Sequence, residues 1–177
     1  MGGYSGCKKS IFDRIKNRIL KVHNYLCNTD VVTFILSIIL IQYLSVILLS
    51  PLIMLFPDNN GAAPFDPEES KRLMLILGVV IAPLIETLLY QKIVIDICDK
   101  IKFFNNKKFI GILISGAIFG SRHTYSPQYM VHMFVVGSVW AYAYTVYKEK
   151  KKHPYWVVCC IHAINNFIAF IMLLTIS

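Results

Sequence analysis

The segment VVTFILSIILIQYLSVILLSPLIMLF, residues 31–56, contains no charged residue in 26 positions. At about 1.5 Å per residue, a helix of this length crosses the ~30 Å hydrocarbon core of a bilayer with some tilt. The run is too long for the apolar core of a cleaved signal peptide. We therefore expect a retained membrane-spanning helix, with Pro51 near its outer end.

Four more apolar runs follow, at residues 73–97, 109–123, 129–147 and 155–176. The chain as a whole is 56% hydrophobic and only 16% charged, whereas a soluble domain carries about 25% charged residues. The pattern predicts an all-α polytopic bundle of about five transmembrane helices, which forms one domain over residues 31–177.

Residues 1–30 precede the first span and have a different pattern. Six basic side chains lie between Lys8 and Lys21, and apolar residues recur beside them at helical spacing. A basic amphipathic helix of this kind lies in the membrane interface and contacts lipid headgroups. We expect an N-terminal basic interfacial segment whose apolar face is formed by Ile11, Phe12, Ile15, Ile19 and Val22.

The net charge of +8 comes from basic clusters between the apolar runs, while most acidic residues lie in loop 57–70. The positive-inside rule then places the N-terminus and loops 99–108 and 148–152 in the cytoplasm, and the C-terminus outside. A nucleic-acid partner is not expected, because the cations do not lie on a folded polar surface. The Ile-, Lys- and Asn-rich usage is typical of an AT-rich bacterial genome, so we expect a bacterial plasma-membrane protein.

Glu86, in VVIAPLIETLLYQKIV, is the only glutamate inside an apolar run. It lies roughly 16 Å from the inner end of its span. An unpaired carboxylate at that depth costs at least ~2.5 kcal/mol, so it needs a partner or takes up a proton. A protonated glutamate that hydrogen-bonds a neighbouring helix is one explanation, and a catalytic carboxylate is the other.

Histidines in two further spans are candidates for the same site. His123 ends FGSRH, and His162 begins HAINN, in which Asn166 lies four residues later on the same helical face. A single histidine in a membrane span is more often an interhelical hydrogen-bond partner. Three spans that each direct an acid, a histidine or a His/Asn pair inward favour one shared site.

Three stretches resemble, in order, the signatures of the CPBP (CAAX-processing and bacteriocin-processing, or Abi) intramembrane proteases. APLIETLLYQ resembles EExxxR, FGSRH resembles FxxxH, and HAINN resembles HxxxN. The resemblance covers roughly residues 79–167 and implies a CPBP-like core at about residues 71–176. It also implies an endopeptidase whose partners are membrane lipid and a membrane-associated peptide or protein substrate.

The resemblance assigns roles to four residues. Glu86 matches the first glutamate of EExxxR, and His123 matches the histidine of FxxxH; together they would activate water. His162 and Asn166 match HxxxN and would stabilise the oxyanion of the tetrahedral intermediate.

The match departs from the family at two supporting positions. Thr87 replaces the second glutamate and Gln91 replaces the arginine. Because the two positions are four apart, we expect a neutral hydrogen bond where the family has an ion pair. Phe119 keeps the aromatic position of its motif. Arg122 is left with three interpretations: an ion pair, a contact with an anionic substrate terminus, or a reach to the interface.

The donor set leaves the cofactor open. Glu86, His123 and His162 would supply a His₂Glu set of the kind that binds catalytic zinc, although no HExxH helix is present. If Glu86 bound Zn²⁺, no second carboxylate of these motifs would remain as the base, because Thr87 occupies that position. We therefore favour a mechanism without a required cofactor, with Zn²⁺ as the alternative.

Two other functions compete with the peptidase. A non-catalytic interaction or bacteriocin-immunity protein on the same fold is the first, and the Thr87 and Gln91 departures keep it open. A transporter is the second, and the lack of an internal repeat argues against it.

Overall fold

A computed structural model of the chain describes residues 11–58, 71–104 and 107–176, and this part is all-helical apart from its short connections. Six helices follow one another: α1 (Ile11–Asn28), α2 (Val31–Ile53), α3 (Lys71–Lys100), α4 (Lys108–Ser121), α5 (Pro127–Glu149) and α6 (Pro154–Ile176). A single 3₁₀ turn, Lys102–Phe104, follows α3. Most of the predicted acidic loop, from residue 59 to 70, lies outside the described residues.

Each predicted span corresponds to a helix, and three of the helices are long and apolar enough to cross a membrane: α2, α3 and residues 154–175 of α6. α4 is apolar but has only 14 residues. α5 has 23 residues and many polar or aromatic ones, and it is not among those three. An integral membrane protein with an all-helical fold is therefore established, while the count of five spans stays a prediction.

The outer surfaces of α2 and its neighbours are apolar. Leu40, Ile47 and Leu48 on α2 are 60%, 66% and 79% exposed. Such a surface would be unfavourable in water and favourable in lipid, because transfer of apolar side chains out of water lowers the free energy. α2 begins with an N-cap: the Asp30 carboxylate accepts hydrogen bonds from the backbone N–H groups of Val32 and Thr33, at 2.9 and 3.0 Å.

α3 is one continuous helix of 30 residues with two wide, π-helical segments, Leu75–Ile81 and Thr87–Ile93. Between them lies the α-helical stretch Ala82–Glu86. Pro83 cannot donate a backbone hydrogen bond, and it lies just after the first wide segment. Isolated π-turns are frequent at functional sites, and here they flank Glu86 on both sides.

α5 lies at the centre of the bundle and contacts the other five helices. Its most extensive partner is α4, which presents Gly116 and Gly120 to it. A Cβ atom at Gly120 would lie 2.6 Å from the carbonyl oxygen of Met130. Small residues four apart allow two helix backbones to approach closely. The close approach holds the end of α4, and the residues that follow it, against the start of α5.

Ion pairs join the C-terminal ends of α3 and α5. Lys92 contacts Asp96 at 2.7 Å within α3, as the four-residue spacing predicts. Lys148 of α5 contacts Asp96 and also Asp99, the latter at 2.8 Å. These pairs join the end of α3 to the end of α5.

α1 docks on the bundle through its C-terminal half. His23 Nδ1 lies 3.0 Å from the Tyr142 hydroxyl, and Leu26 is buried. The N-terminal half turns apolar side chains away from the protein, with Ile11 72% and Phe12 74% exposed. The interfacial position of this segment stays a prediction; Lys8 and Lys9 of that segment lie outside the described residues.

Candidate active site

A cavity of about 430 Å³ lies between α3, the end of α4, α5 and α6. Glu86, His123, His162 and Asn166, the four predicted catalytic residues, all line it. Glu86 ends the α-helical stretch between the two π-helical segments, and 28% of its side chain is exposed, into this cavity. The bundle therefore brings residues of three distant sequence segments to one space.

The Glu86 carboxylate lies between the two imidazoles. Its Oε2 atom is 3.7 Å from His162 Nε2 and 4.0 Å from His123 Nε2. Both separations exceed the length of a hydrogen bond. The carboxylate is thus close to both rings without being bound to either, and it can accept a hydrogen bond from a water in the cavity.

His123 has a fixed ring orientation. Its Nδ1 lies 2.7 Å from the backbone carbonyl of Phe119. A carbonyl oxygen only accepts, so Nδ1 carries the proton and donates it to that bond. In the neutral ring, Nε2 is therefore the bare nitrogen. The nitrogen that faces Glu86 can accept a proton or a hydrogen bond from water.

His162 is the more deeply buried of the two, with a side chain that is 3% exposed. Its Nδ1 has no hydrogen-bond partner within the described ranges. A bare acceptor nitrogen is less costly to leave unpaired than an N–H group, which favours the tautomer with the proton on Nε2. In that form the nitrogen that faces the cavity is a donor.

Asn166 lies one turn after His162 on α6. Its amide nitrogen donates to the carbonyl oxygen of Gly78 at 2.8 Å, in the first π-helical segment of α3. The amide carries a second N–H group, and the residue lines the cavity. His162 and Asn166 together can supply two donors to one oxygen atom.

Phe119 packs against both histidine rings, with centroid separations of 4.5 Å to His123 and 6.0 Å to His162. It is 1% exposed. Its carbonyl orients His123, and its ring packs against both imidazoles. The aromatic position of the FxxxH motif thus has a physical role in holding both rings.

The expected hydrogen bond between Thr87 and Gln91 is absent. Both side chains are completely buried. The Gln91 amide has no hydrogen-bond partner among the described residues, and the Thr87 hydroxyl faces the Cys159 thiol without a hydrogen bond to Gln91. Both residues lie in the π-helical segment Thr87–Ile93, where the ladder joins residues five apart and not four.

Arg122 is exposed and lines a shallow depression beside the cavity, together with Glu86, Tyr90, Thr124 and Tyr125. It forms no ion pair within the described ranges, so the first of its three interpretations gains no support. Contact with an anionic substrate group and a reach to the interface both stay predictions.

Sequence reasoning assigned Trp140 and Tyr129 to ordinary packing, yet both contact the site. Trp140 packs on His162, with ring centroids 4.1 Å apart. Tyr129 packs on His123 at 5.9 Å and stacks at 6.0 Å on His132, a histidine that the sequence offers as a weaker candidate for the site and that lines the cavity. Asn165 was overlooked beside the motif asparagine, although an amide inside an apolar run is itself a signal.

The alternative with Zn²⁺ held by Glu86, His123 and His162 stays a prediction. In the described part of the chain, one cluster of three metal-binding side chains has all its donor atoms within 4.8 Å of one another. It consists of His23, Cys27 and Glu149. It lies at the other end of α5, and Glu149 also pairs with Lys108. Glu86, His123 and His162 are not among such groups, although the Glu86 carboxylate lies 3.7 and 4.0 Å from the two Nε2 atoms.

Fold and site define an all-helical membrane protein with a buried Glu/His/His/Asn cluster. Residues 68–168 match the family described as type II CAAX prenyl endopeptidase Rce1-like. The chain belongs to this family, which is part of the CPBP group that the three motifs resemble. All four candidate catalytic residues fall within the match, and α2 precedes it. No curated protein and no solved structure matches the chain.

Proposed function

We propose that this protein is an intramembrane endopeptidase that hydrolyses a membrane-associated peptide or protein, as CAAX-type proteases do. The observation that carries the proposal is the position of the Glu86 carboxylate, 3.7 and 4.0 Å from the Nε2 atoms of His162 and His123. The family to which the chain belongs supports the same reaction.

Water activation is assigned to Glu86 and His123. A cavity water that donates to the Glu86 carboxylate and to the bare Nε2 of His123 loses a proton to the carboxylate as its oxygen attacks the scissile carbonyl carbon. The Phe119 carbonyl keeps the His123 ring in the required orientation. A base held in a largely dry cleft contributes roughly 10²- to 10⁴-fold to such a step.

Oxyanion stabilisation is assigned to His162 and Asn166. As the C=O bond of the peptide opens, its oxygen becomes negative and accepts hydrogen bonds from His162 Nε2–H and from the second N–H of Asn166. The intermediate collapses when the C–N bond breaks and the proton held by Glu86 passes to the leaving amine. Donors that are already oriented toward the developing charge lower the barrier without reorganisation.

The substrate is proposed to be a membrane-associated peptide or protein, and a prenylated CAAX peptide is the model substrate that the family's description names. The cavity is lined on several sides by apolar and aromatic groups, among them Tyr43, Met133 and Met172. The protein is proposed to lie in a bacterial plasma membrane with its N-terminus and basic loops cytoplasmic and its C-terminus outside.

The test uses the purified protein in lipid vesicles and a fluorogenic, farnesylated CAAX peptide. Glu86→Gln is expected to reduce kcat by at least about 100-fold while the protein stays folded. Glu149→Gln is the matched control, because it makes the same chemical change at an ion pair far from the cavity; it should keep full activity. Unchanged cleavage by Glu86→Gln would show that the peptidase proposal is wrong and favour an interaction protein.

A further inference from the structure

Gln42 of α2 is buried in an apolar environment although α2 precedes the family match. Its side chain is 2% exposed, and it continues the buried stripe that Phe34 and Ile38 form at spacings of four residues. A buried amide without partners is costly. Its hydrogen bonds therefore explain why an apolar span keeps a glutamine at this position.

The Gln42 amide joins two parts of the site. Its oxygen accepts a hydrogen bond from the Trp140 indole N–H at 2.6 Å. Its nitrogen donates to the Asn165 side-chain oxygen, also at 2.6 Å. Asn165 in turn donates to the Asn166 side-chain oxygen at 3.3 Å, and Asn166 donates to the Gly78 carbonyl.

The two ends of this chain of hydrogen bonds fix the direction of every bond in it. An indole N–H only donates, and a backbone carbonyl only accepts. Because Trp140 must donate, the Gln42 oxygen faces it and the Gln42 nitrogen faces Asn165. The same logic turns the Asn165 nitrogen toward Asn166, whose own nitrogen then faces Gly78 and the cavity.

We propose that Gln42 is a positioning residue for the oxyanion donors. Through Asn165 it presents the nitrogen, and not the oxygen, of Asn166 to the cavity. Through Trp140, which packs on the His162 ring at 4.1 Å, it holds the second donor. The proposal rests on the proposed peptidase function for its catalytic consequence, and on the hydrogen bonds alone for its structural part.

The catalytic test compares Gln42→Met, which keeps the length of the side chain but removes both hydrogen bonds, with wild type. Loss of one oriented oxyanion donor costs about 100- to 1,000-fold in kcat, and misorientation costs less. We expect kcat to fall by roughly 10- to 100-fold, with KM changed by less than about twofold, since the donors act in the transition state.

Two further variants separate positioning from simple stabilisation. Asn165→Leu should reduce kcat to the same extent, and the double variant should be no worse than the more impaired single variant, because both act through one chain of bonds. Ile38→Ala, one turn away on the same buried stripe, should lower thermal stability but leave kcat unchanged below its unfolding temperature. Equal kcat in Gln42→Met and wild type overturns the proposal.

Tryptophan fluorescence tests the hydrogen bond between Gln42 and Trp140 without a catalytic assay. The chain has two tryptophans, so Trp156→Phe leaves Trp140 as the single tryptophan emitter. In that background Gln42→Met should shift the emission to shorter wavelength, because the indole N–H loses its partner. Unchanged emission overturns the positioning role of Gln42, even if the wild-type protein cleaves the peptide. If the emission shifts but the wild-type protein does not cleave the peptide, the hydrogen bonds of Gln42 are supported and the peptidase function is refuted.

Discussion

Gly120→Ala tests the idea that the contact between α4 and α5 sets the position of His123. The new Cβ atom would lie 2.6 Å from the Met130 carbonyl oxygen and 2.8 Å from the Phe134 backbone nitrogen. Both atoms belong to the backbone of α5, which cannot rotate away. The two helices must separate by roughly 0.7 Å to restore van der Waals contact.

The expected cost follows from this separation. Overpacking of a close-packed contact costs about 1–3 kcal/mol, and for the two backbone clashes of Gly120→Ala we expect about 2 kcal/mol. His123 follows Gly120 by three residues and moves with α4, whereas Glu86 on α3 does not. Since a displacement of about 1 Å in a catalytic group reduces the rate by about 100-fold, we expect kcat to fall by roughly 10- to 100-fold.

Gly111→Ala is the matched control on the same helix. Its Cβ atom would meet the Cys98 Cβ atom at 3.2 Å and nothing else closer than 3.5 Å. Both variants gain the same helix propensity, about 1 kcal/mol over glycine. The difference between them therefore isolates the clash and should amount to about 2 kcal/mol.

The measurements are thermal unfolding of both variants in detergent and cleavage of the farnesylated peptide. For a protein of this size a difference of about 2 kcal/mol lowers Tm by roughly 4–8 °C. If Gly120→Ala unfolds at the same temperature as Gly111→Ala and cleaves at the wild-type rate, the close contact does not hold His123 and the reasoning is refuted.

Two further changes test buried and exposed polar groups. Gln91→Leu removes an amide that is fully buried and has no partner among the described residues, so it should raise the thermal stability by up to about 1–3 kcal/mol; a lower Tm in a thermal-shift assay would mean that the amide is paired. Asp96→Asn removes the carboxylate that pairs with Lys92 and Lys148. Because these groups are partly exposed, the loss should stay below about 1 kcal/mol and shrink at high salt; a loss that salt does not affect would contradict an electrostatic contribution.

The helices could be predicted from the sequence because lipid imposes a simple rule. An apolar run long enough to cross the bilayer must satisfy its backbone internally, and a helix does so. The runs at 31–56 and 73–97 correspond to α2 and α3, although α2 ends at Ile53, three residues earlier than expected. The basic segment before them is helical from Ile11.

The candidate site could be predicted only as a set of residues. Glu86, His123 and His162 were recognisable because polar groups are expensive inside apolar spans. Counted along each predicted span, however, His162 lies roughly 10 Å and His123 roughly 20 Å from the inner end. These depths do not agree with one another, yet both imidazoles lie within 4.0 Å of the same carboxylate oxygen.

The supporting residues depended on local geometry that the sequence does not reveal. An α-helical count predicts a hydrogen bond between Thr87 and Gln91, but the two side chains do not bond to each other. Gln42 is 123 positions away from Asn165, and no spacing rule connects residues so far apart.

Glu86 is thus the point at which the two kinds of information meet. The sequence alone determined that a carboxylate lies inside an apolar helix. A bilayer offers no water to solvate the charge, so the carboxylate needs a partner or a proton. Only the packing of α3, α4, α5 and α6 decided which groups surround it and how they are oriented. Those distances depend on how closely whole helices approach, and the helices meet through contacts between distant segments, among them the α4 glycines against α5 and the Gln42 amide of α2 against α5 and α6.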